Sequence, residues 1–179
     1  RFAGHPEFEK APGIEISSGS LGHGPSIGAG IAHACVLNNQ ESKIFVIVGD
    51  GETNEGSVWE AILCASQLKL NNFYLVIDNN QFESLDKTSN ILGIEPIDEK
   101  LKSFGFDVIR CNGHDFEELD LSFKKIINLD SEKPKAIILD TIKAHGISFT
   151  TGITKWHYRS PTEKELKIGL EELDKIINA

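Results

Sequence analysis

Methionine is absent from the 179 residues, and cysteine is scarce, with 3 residues. Because the sequence opens on Arg1, we expect a chain that has been processed or that lacks an upstream segment. Cys35, Cys64 and Cys111 are far apart and form no CxxC pair, which argues against a disulfide framework and against a zinc site. The sequence therefore predicts three reduced, packed thiols in a cytoplasmic protein.

Basic charge and long apolar runs are lacking as well. The chain has 18 Lys and Arg against 27 Asp and Glu, a net charge of −9, which argues against nucleic acid or an anionic membrane as a partner. The longest uninterrupted apolar run, residues 44–48, is far shorter than the roughly 20 residues that span a bilayer. A chain of this length is expected to form a single domain, residues 1–179.

Short apolar runs alternate along the chain with segments of helical periodicity. This alternation predicts an α/β fold with a mostly parallel sheet flanked by helices. The predicted strands are residues 43–50, 74–78, 106–111 and 136–141, and the predicted helices are 27–37, from about 57, 98–104, 116–129 and from about 162. We expect the first strand to be buried on both faces. Two helices are expected to begin with capping boxes, which are formed by Ser57 with Glu60 and by Thr162 with Glu165.

Polar residues follow the first two predicted strands, as Gly49-Asp50-Gly51 and Asp78-Asn79-Asn80. Ligands of parallel α/β sheets bind beyond the carboxyl ends of the strands, where we expect Asp50 and Asn80 to emerge side by side. A carboxylate, an amide oxygen and a backbone carbonyl would form half of a Mg²⁺ shell, which phosphate and water would complete. Gly49 and Gly51 are expected to allow a sharp turn and to bring the Gly51 N–H near a diphosphate.

The segment GDGETNEGSVWEA through VIDNNQ resembles the thiamine diphosphate motif, which begins with GDG and ends with NN. The words GHPEF, SSGSLGHGPSIGAGIA, NGHDF and KWHYRSP are similar to transketolases, particularly to the amino-terminal subunit of split, two-gene transketolases. The resemblance implies the thiamine diphosphate-binding fold, the cofactors thiamine diphosphate and Mg²⁺, and transfer of a two-carbon ketol unit from a ketose to an aldose. It also implies an oligomer, a partner subunit with the pyrimidine-binding domain, and an upstream segment with further histidines.

The same resemblance implies roles for individual residues. Asp50, Asn80 and the Phe82 carbonyl would be the Mg²⁺ ligands. Gly51 would contact the diphosphate, with Gly19 and Gly49 close to the cofactor. His5 would touch the donor sugar near its reacting carbons. His157 would lie near the diphosphate, as a cofactor-binding residue, and near the reacting carbonyl. Glu55 would help to link the two active sites across the dimer.

Other interpretations stay open at this point. Asp50 would otherwise be a loop aspartate that closes a turn, and Glu55 a solvated carboxylate in a first helical turn. The cofactor could instead serve a 2-oxo acid dehydrogenase or a deoxyxylulose-phosphate synthase, or the chain could be a catalytically silent assembly subunit. Gly22-x-Gly24-x-x-x-Gly28 mimics a dinucleotide fingerprint, but no clear strand precedes it.

The remaining histidines and the two tryptophans are expected to be structural or are left open. His33 lies in an apolar pattern and is expected in the core, and His114 is expected to fix a turn. His23 and His145 lie in glycine-flanked loops, where they could contact either a ligand or backbone. Trp59 and Trp156 are expected to be packing anchors.

Overall fold

A computed structural model describes residues 5–178 of the chain. Four strands form one parallel sheet in the order β1-β2-β4-β3. The strands are β1 (Ile44–Gly49), β2 (Phe73–Asn79), β3 (Asp107–Asn112) and β4 (Lys135–Asp140). The helices are α1 (His23–Leu37), α2 (Gly56–Gln67), α3 (Thr88–Ile91), α4 (Ile97–Ser103), α5 (Phe116–Ile127) and α6 (Glu163–Ile177). The predicted α/β architecture is confirmed, and α3 is a short helix that was not among the predicted elements.

The two central strands carry the core. β2 is buried along nearly its whole length, and Ala136, Ile137 and Ile138 of β4 are inaccessible to solvent. Continuous apolar strands of this kind are typical of parallel sheets covered by helices on both faces. The core therefore lies on both sides of β2 and β4, beneath the strand ends that carry the polar residues.

The prediction that β1 is buried on both faces is wrong. Its residues alternate in burial, and the side chains of Phe45 and Ile47 are 42% and 75% exposed. β1 is an edge strand of the described sheet. On one face α1 packs so closely that a Cβ on Gly28 would lie 2.2 Å from Val46 Cγ2. On the other face α5 approaches with Phe123, whose ring centroid is 6.2 Å from that of Phe45, and Ile47 stays exposed. The apolar sequence alone could not distinguish a strand covered on one side from one covered on both.

Only one of the two predicted capping boxes forms. The Thr162 hydroxyl accepts from the Glu165 N–H, and the Glu165 carboxylate accepts from the Thr162 N–H, which opens α6 as predicted. α2 instead begins at Gly56 without a side-chain cap, and the Ser57 hydroxyl donates to the Gly22 carbonyl at 3.0 Å. The prediction for Ser57 and Glu60 is wrong because a tertiary contact with the start of α1 uses the serine hydroxyl.

Several predicted core positions are accessible. Cys35 and Cys111 are buried thiols, but Cys64 is exposed on α2, so the prediction of three packed thiols is wrong for Cys64. His33 is half-buried rather than a core residue. The apolar side chains of Leu166, Leu170 and Ile177 on α6 are exposed as well. No helix in the described part of the chain is both long and apolar enough to cross a membrane.

Candidate functional site at the strand ends

β1 and β2 end side by side, as the sequence predicts. Gly49 pairs in register with Asp78, and the Asp50 N–H donates to the Asp78 carbonyl at 3.0 Å. The chain then turns at once into a single 3₁₀ turn, Gly51–Asn54. This pairing puts the Asp50 side chain beside the segment that follows β2.

Asp50 is a buried carboxylate without a counterpart. Asp50 is 1% exposed, and neither of its carboxylate oxygens has a hydrogen-bond partner in the described structure. Burial raises the pKa of the Asp50 carboxyl to about 6, and the nearby backbone N–H groups of Gly51 and Gln81 only partly offset that effect. Since a buried charge is normally paired or bound to a metal, these two free oxygens fit a cation.

The turn after β2 presents two further oxygens. The Asn80 side chain accepts from the Phe82 N–H at 3.0 Å and donates to the Asp78 carboxylate at 3.3 Å, which fixes the amide. Phe82 forms an antiparallel bridge with Lys87, and its carbonyl accepts no hydrogen bond within residues 5–178. The described residues contain no cluster of three His, Cys, Asp or Glu side chains for a metal, so the candidate donor set is one carboxylate with amide and carbonyl oxygens. This is the hard, oxygen-only chemistry that Mg²⁺ prefers.

The two glycines beside Asp50 differ from each other. The chain turns sharply after β1, but neither Gly49 nor Gly51 has a positive φ, so the turn does not use a conformation restricted to glycine. A Cβ on Gly51 would lie 2.5 Å from Glu83 Cγ, whereas a Cβ on Gly49 would meet nothing within 4 Å. A side chain at position 51 would therefore require the Glu83 side chain, in the turn that carries Asn80 and Phe82, to shift.

Glu52 is a structural residue that the sequence analysis did not single out. Its carboxylate accepts from the Gly22 N–H at 2.9 Å and from the Gly49 N–H at 3.3 Å, which joins the start of α1 to the end of β1. The neighbouring Glu55 is exposed and makes no side-chain hydrogen bond in the described structure. The two glutamates of GDGETNE thus differ: one fixes the local backbone, and the other is free to face solvent or another chain.

His5 and Gly19, which are separated by a loop-rich stretch of sequence, meet in space. Gly19 has a φ of 133°, and a Cβ there would lie 2.4 Å from Cδ2 of His5. Both residues line a cavity of about 570 Å³ that also touches Glu52 and the exposed face of β1. Gly4 of the GHPEF word lies outside the described residues, so His5 is the first residue of that word with a defined place.

His157 ends a second 3₁₀ turn, Thr154–His157, in the segment after β4. Its Nδ1 lies 3.0 Å from Nζ of Lys143, and burial together with the Lys143 charge lowers the pKa of the imidazole. A Cβ on Gly152 of this segment would lie 3.9 Å from Cζ of Phe82, so the segment approaches the turn after β2. No hydrogen bond in residues 5–178 joins His157 directly to Asp50 or Asn80. Lys143 was missed because a lone lysine after a strand has no motif of its own.

An ion network supports the same edge of the sheet. The Arg110 guanidinium donates to both oxygens of Asp140 at 2.8 Å and to Glu95 at 2.8 Å. The Asn79 amide donates to Asp140 at 2.8 Å and to Glu95 at 3.3 Å, so the network reaches the residue next to Asn80. These partners come from separate elements, and the sequence carried no signal for the pairing.

Comparison with known proteins agrees with this geometry. The family described as "Transketolase, thiamine diphosphate binding domain" matches residues 1–171. One subunit of the apulose-4-phosphate transketolase of Actinobacillus succinogenes is 39% identical over 97% of this chain and 62% of its own length. The corresponding subunit of the Phocaeicola vulgatus enzyme is 36% identical over 98% of this chain and 62% of its own length.

Two further relatives widen the comparison. The 6-deoxy-6-sulfo-D-fructose transketolase subunit SqwG of a Clostridium species is 33% identical over 96% of this chain and 62% of its own length. The crystal structure of transketolase from Campylobacter jejuni superposes with a TM-score of 0.84 and 30% identity, covering 90% of this chain and 26% of that one. The chain thus spans about 62% of the length of the subunits it matches. The chain belongs to the transketolase family, in which it is similar to the amino-terminal subunits of split enzymes and carries the thiamine diphosphate-binding domain.

Proposed function

We propose that this chain is the diphosphate-binding subunit of a cytoplasmic, split transketolase that moves a two-carbon ketol unit from a ketose phosphate to an aldose phosphate. The observation that carries the proposal is the Asp50 carboxylate, which is buried without a partner at the point where two parallel strands end. The backbone N–H groups of Gly51 and Gln81 lie near this carboxylate, but burial outweighs their effect on its pKa, and neither oxygen completes a hydrogen bond in the described structure. A buried carboxylate in this position supports a cation ligand.

The residues at the strand ends would hold the cofactor through a cation. Asp50, Asn80 and the Phe82 carbonyl would bind Mg²⁺, and the backbone of Gly51 would face the diphosphate, with Gly49 and Gly19 nearby. This arrangement explains how a chain of net charge −9 can bind an anion without a basic patch. Thiamine diphosphate, when bound, would supply the carbon nucleophile and the electron sink of the reaction.

The histidines would act on the sugar side. His5 would hydrogen-bond the donor near its reacting carbons, and the absence of a side chain at Gly19 leaves room for its ring. His157 would exchange a hydrogen bond or proton with substrate or diphosphate, and its lowered pKa favours the neutral form that can accept a proton at neutral pH. Exposed Glu55 would link this site to a second one across an oligomer interface.

A partner subunit would complete the active site with a pyrimidine-binding domain. The relatives are named as subunits, and the exposed face of β1 beside the His5 cavity is consistent with a site that is incomplete in this chain. We expect the isolated chain to be inactive and the assembled homo- or hetero-oligomer to be active. Turnover by the chain alone would contradict this part of the proposal.

Calorimetry tests the cofactor site. The full-length chain with its partner subunit is titrated with thiamine diphosphate in the presence of Mg²⁺, and Asp50→Ala is compared with Asp120→Ala. Asp120 is an exposed aspartate that pairs with Lys124 of the same helix, so its replacement removes an equal charge away from the strand ends. We expect binding by wild type and Asp120→Ala but not by Asp50→Ala. Absence of binding by the wild-type assembly would instead support a silent assembly subunit.

Donor assays test the reaction class. Fructose 6-phosphate is compared with pyruvate, using ribose 5-phosphate as the acceptor and the complete assembly as the enzyme. Apulose 4-phosphate and 6-deoxy-6-sulfo-D-fructose, which appear in the names of the relatives, extend the donor set. Use of a ketose donor with release of a shortened aldose supports the proposal. Use of pyruvate alone would move the chain to the 2-oxo acid dehydrogenase or deoxyxylulose-phosphate synthase reactions.

A further inference from the structure

The Asn112-Gly113-His114 turn after β3 is fastened to the segment that follows β4. The Gly113 N–H donates to the Asp140 carbonyl at 2.8 Å. A Cβ on Gly113 would lie 2.4 Å from Cγ2 of Thr141 and 3.3 Å from the Asp140 carbonyl oxygen, so only glycine permits this approach. The glycine brings the next residue, His114, within reach of the loop formed by residues 141–147.

His114 makes two contacts with that loop. Its Nε2 accepts from the Ile142 N–H at 2.8 Å, which requires an unprotonated Nε2 and a proton on Nδ1. Its ring stacks on the ring of His145, with 4.1 Å between centroids and 23° between planes. The His114 N–H itself donates to the Asn112 side chain at 2.9 Å, which fixes the turn from which the ring projects.

The two contacts lie on either side of Lys143, the residue whose amine approaches His157. Ile142 precedes Lys143 directly, and His145 follows it by two residues. The Lys143 carbonyl also accepts from the Gly152 N–H at 2.9 Å, which ties the loop to the segment leading to His157. The position of the Lys143 amine therefore depends on how the loop is held at its two anchored ends.

We propose that His114 is a positioning residue, which holds the 141–147 loop through its Nε2 acceptor and thereby places Lys143 against His157. The proposal rests on the proposed function, in which His157 faces the substrate and the diphosphate. His114 itself contacts neither; it acts through Ile142 and Lys143. The expected consequence of losing its acceptor is a looser loop and a less constrained Lys143–His157 contact.

Two variants separate the acceptor from the ring. His114→Phe keeps a ring for stacking on His145 and removes the acceptor, whereas His114→Gln keeps an amide oxygen that can accept from Ile142 and removes the ring. The full-length chain with its partner subunit is labelled with ¹³C at the histidine Cε1 positions, and the His157 signal, assigned with a His157→Gln variant, is titrated without cofactor. Near-UV circular dichroism checks that both variants keep the native fold.

We expect the pKa of His157 to rise toward its ordinary value in His114→Phe, because both the burial and the Lys143 charge that lower it depend on the loop. His114→Gln should keep the wild-type titration. Thiamine diphosphate binding should weaken roughly three- to tenfold in His114→Phe, the loss typical of one hydrogen bond, and should stay within about twofold in His114→Gln. A merely structural histidine would alter melting temperature without moving the His157 titration.

The two hypotheses fail in different ways. If the wild-type assembly does not bind thiamine diphosphate, the proposed function fails while the His157 titration still tests the loop. If His114→Phe leaves the His157 titration unchanged, the positioning role is overturned whatever the cofactor does. Equal displacement of the titration by His114→Phe and His114→Gln would also overturn it, because the acceptor that His114→Gln retains would then not be what holds the loop.

Discussion

Replacing Asp50 by asparagine should stabilise the protein in the absence of metal while it removes cofactor binding. The Asp50 carboxyl is buried without a hydrogen-bond partner, and burial raises its pKa from 3.8 to about 6. Most replacements of buried polar residues destabilise a fold, so a gain in stability at this position would be a specific signature of a ligand-binding carboxylate.

The size of the gain follows from the pKa difference between folded and unfolded states. A difference of about two pH units, at about 1.4 kcal/mol per unit, corresponds to about 3 kcal/mol. The folded pKa lies above the unfolded one, so the stability present below about pH 4 is lost as pH rises through about 6. Because a buried asparagine amide carries its own desolvation cost, we expect Asp50→Asn to gain about 1–3 kcal/mol at pH 8 and nothing near pH 4.

Urea unfolding with EDTA at pH 4 and pH 8 measures the effect. Asp140→Asn is a control in which the expected change in stability has the opposite sign. Burial raises the pKa of the Asp140 carboxyl, but the hydrogen bonds from Arg110 and Asn79 outweigh burial, so the pKa is lowered. Asp140→Asn should therefore destabilise the chain at pH 8 and do so less as pH falls through the range in which that carboxyl titrates. If Asp50→Asn lowers stability at pH 8, or changes it equally at both pH values, the argument from an unpaired buried carboxylate is refuted.

Metal and cofactor should offset most or all of the stability advantage of Asp50→Asn over wild type. Mg²⁺ with thiamine diphosphate binds only the folded state, so at 100 times the dissociation constant it should stabilise wild type by about 2.7 kcal/mol. Asp50→Asn should gain nothing from the same addition. An equal rise in melting temperature for the two proteins would place the metal elsewhere.

Three further changes test the fold and the surface. Gly28→Ala should destabilise the fold by about 1–3 kcal/mol, because the new Cβ would lie 2.2 Å from Val46 Cγ2. Gly30→Ala in the same helix should stabilise the fold by about 0.5–1 kcal/mol, because its Cβ would meet nothing within 4 Å. Urea unfolding of both variants measures these differences. Arg110→Met should destabilise the fold by about 1–2 kcal/mol, since it leaves Glu95 and Asp140 without their shared cation. High salt screens these ion pairs, so it should reduce the difference in stability between wild type and Arg110→Met. Iodoacetamide should modify exposed Cys64 before buried Cys35 and Cys111. Burial also raises the pKa of the Cys111 thiol, which slows its reaction further. Equal labelling of the three cysteines in peptide mass spectra would contradict the described burial.

The predicted elements agreed with the structure where the signal was local. Each strand was predicted to within a residue or two, because its apolar run and the polar residues that end it are contiguous in sequence. The capping box of Thr162 and Glu165 formed for the same reason. The prediction failed at Ser57, whose hydroxyl bonds to Gly22, a residue 35 positions away.

The candidate site divides in the same way. The sequence placed Asp50 and Asn80 at neighbouring strand ends, because parallel strands joined by a helix bring their carboxyl ends to one edge. It could not show that both Asp50 oxygens are unpaired, that His5 lies against Gly19, or that Lys143 meets His157. Each of these facts depends on segments that approach from different parts of the chain, and no local pattern encodes such an approach.

The sequence by itself determined the alternation of strands and helices, the oxygen-bearing residues at the strand ends and the shortage of basic charge. Tertiary structure alone decided which apolar residues are covered: β1 leaves Phe45 and Ile47 exposed although its sequence is as apolar as that of β2. It also showed why Gly113 is glycine: the segment that follows β4 approaches its backbone closely. The physical reason is that periodicity reports the conformation of one element, whereas burial, pKa and contact depend on what packs against it.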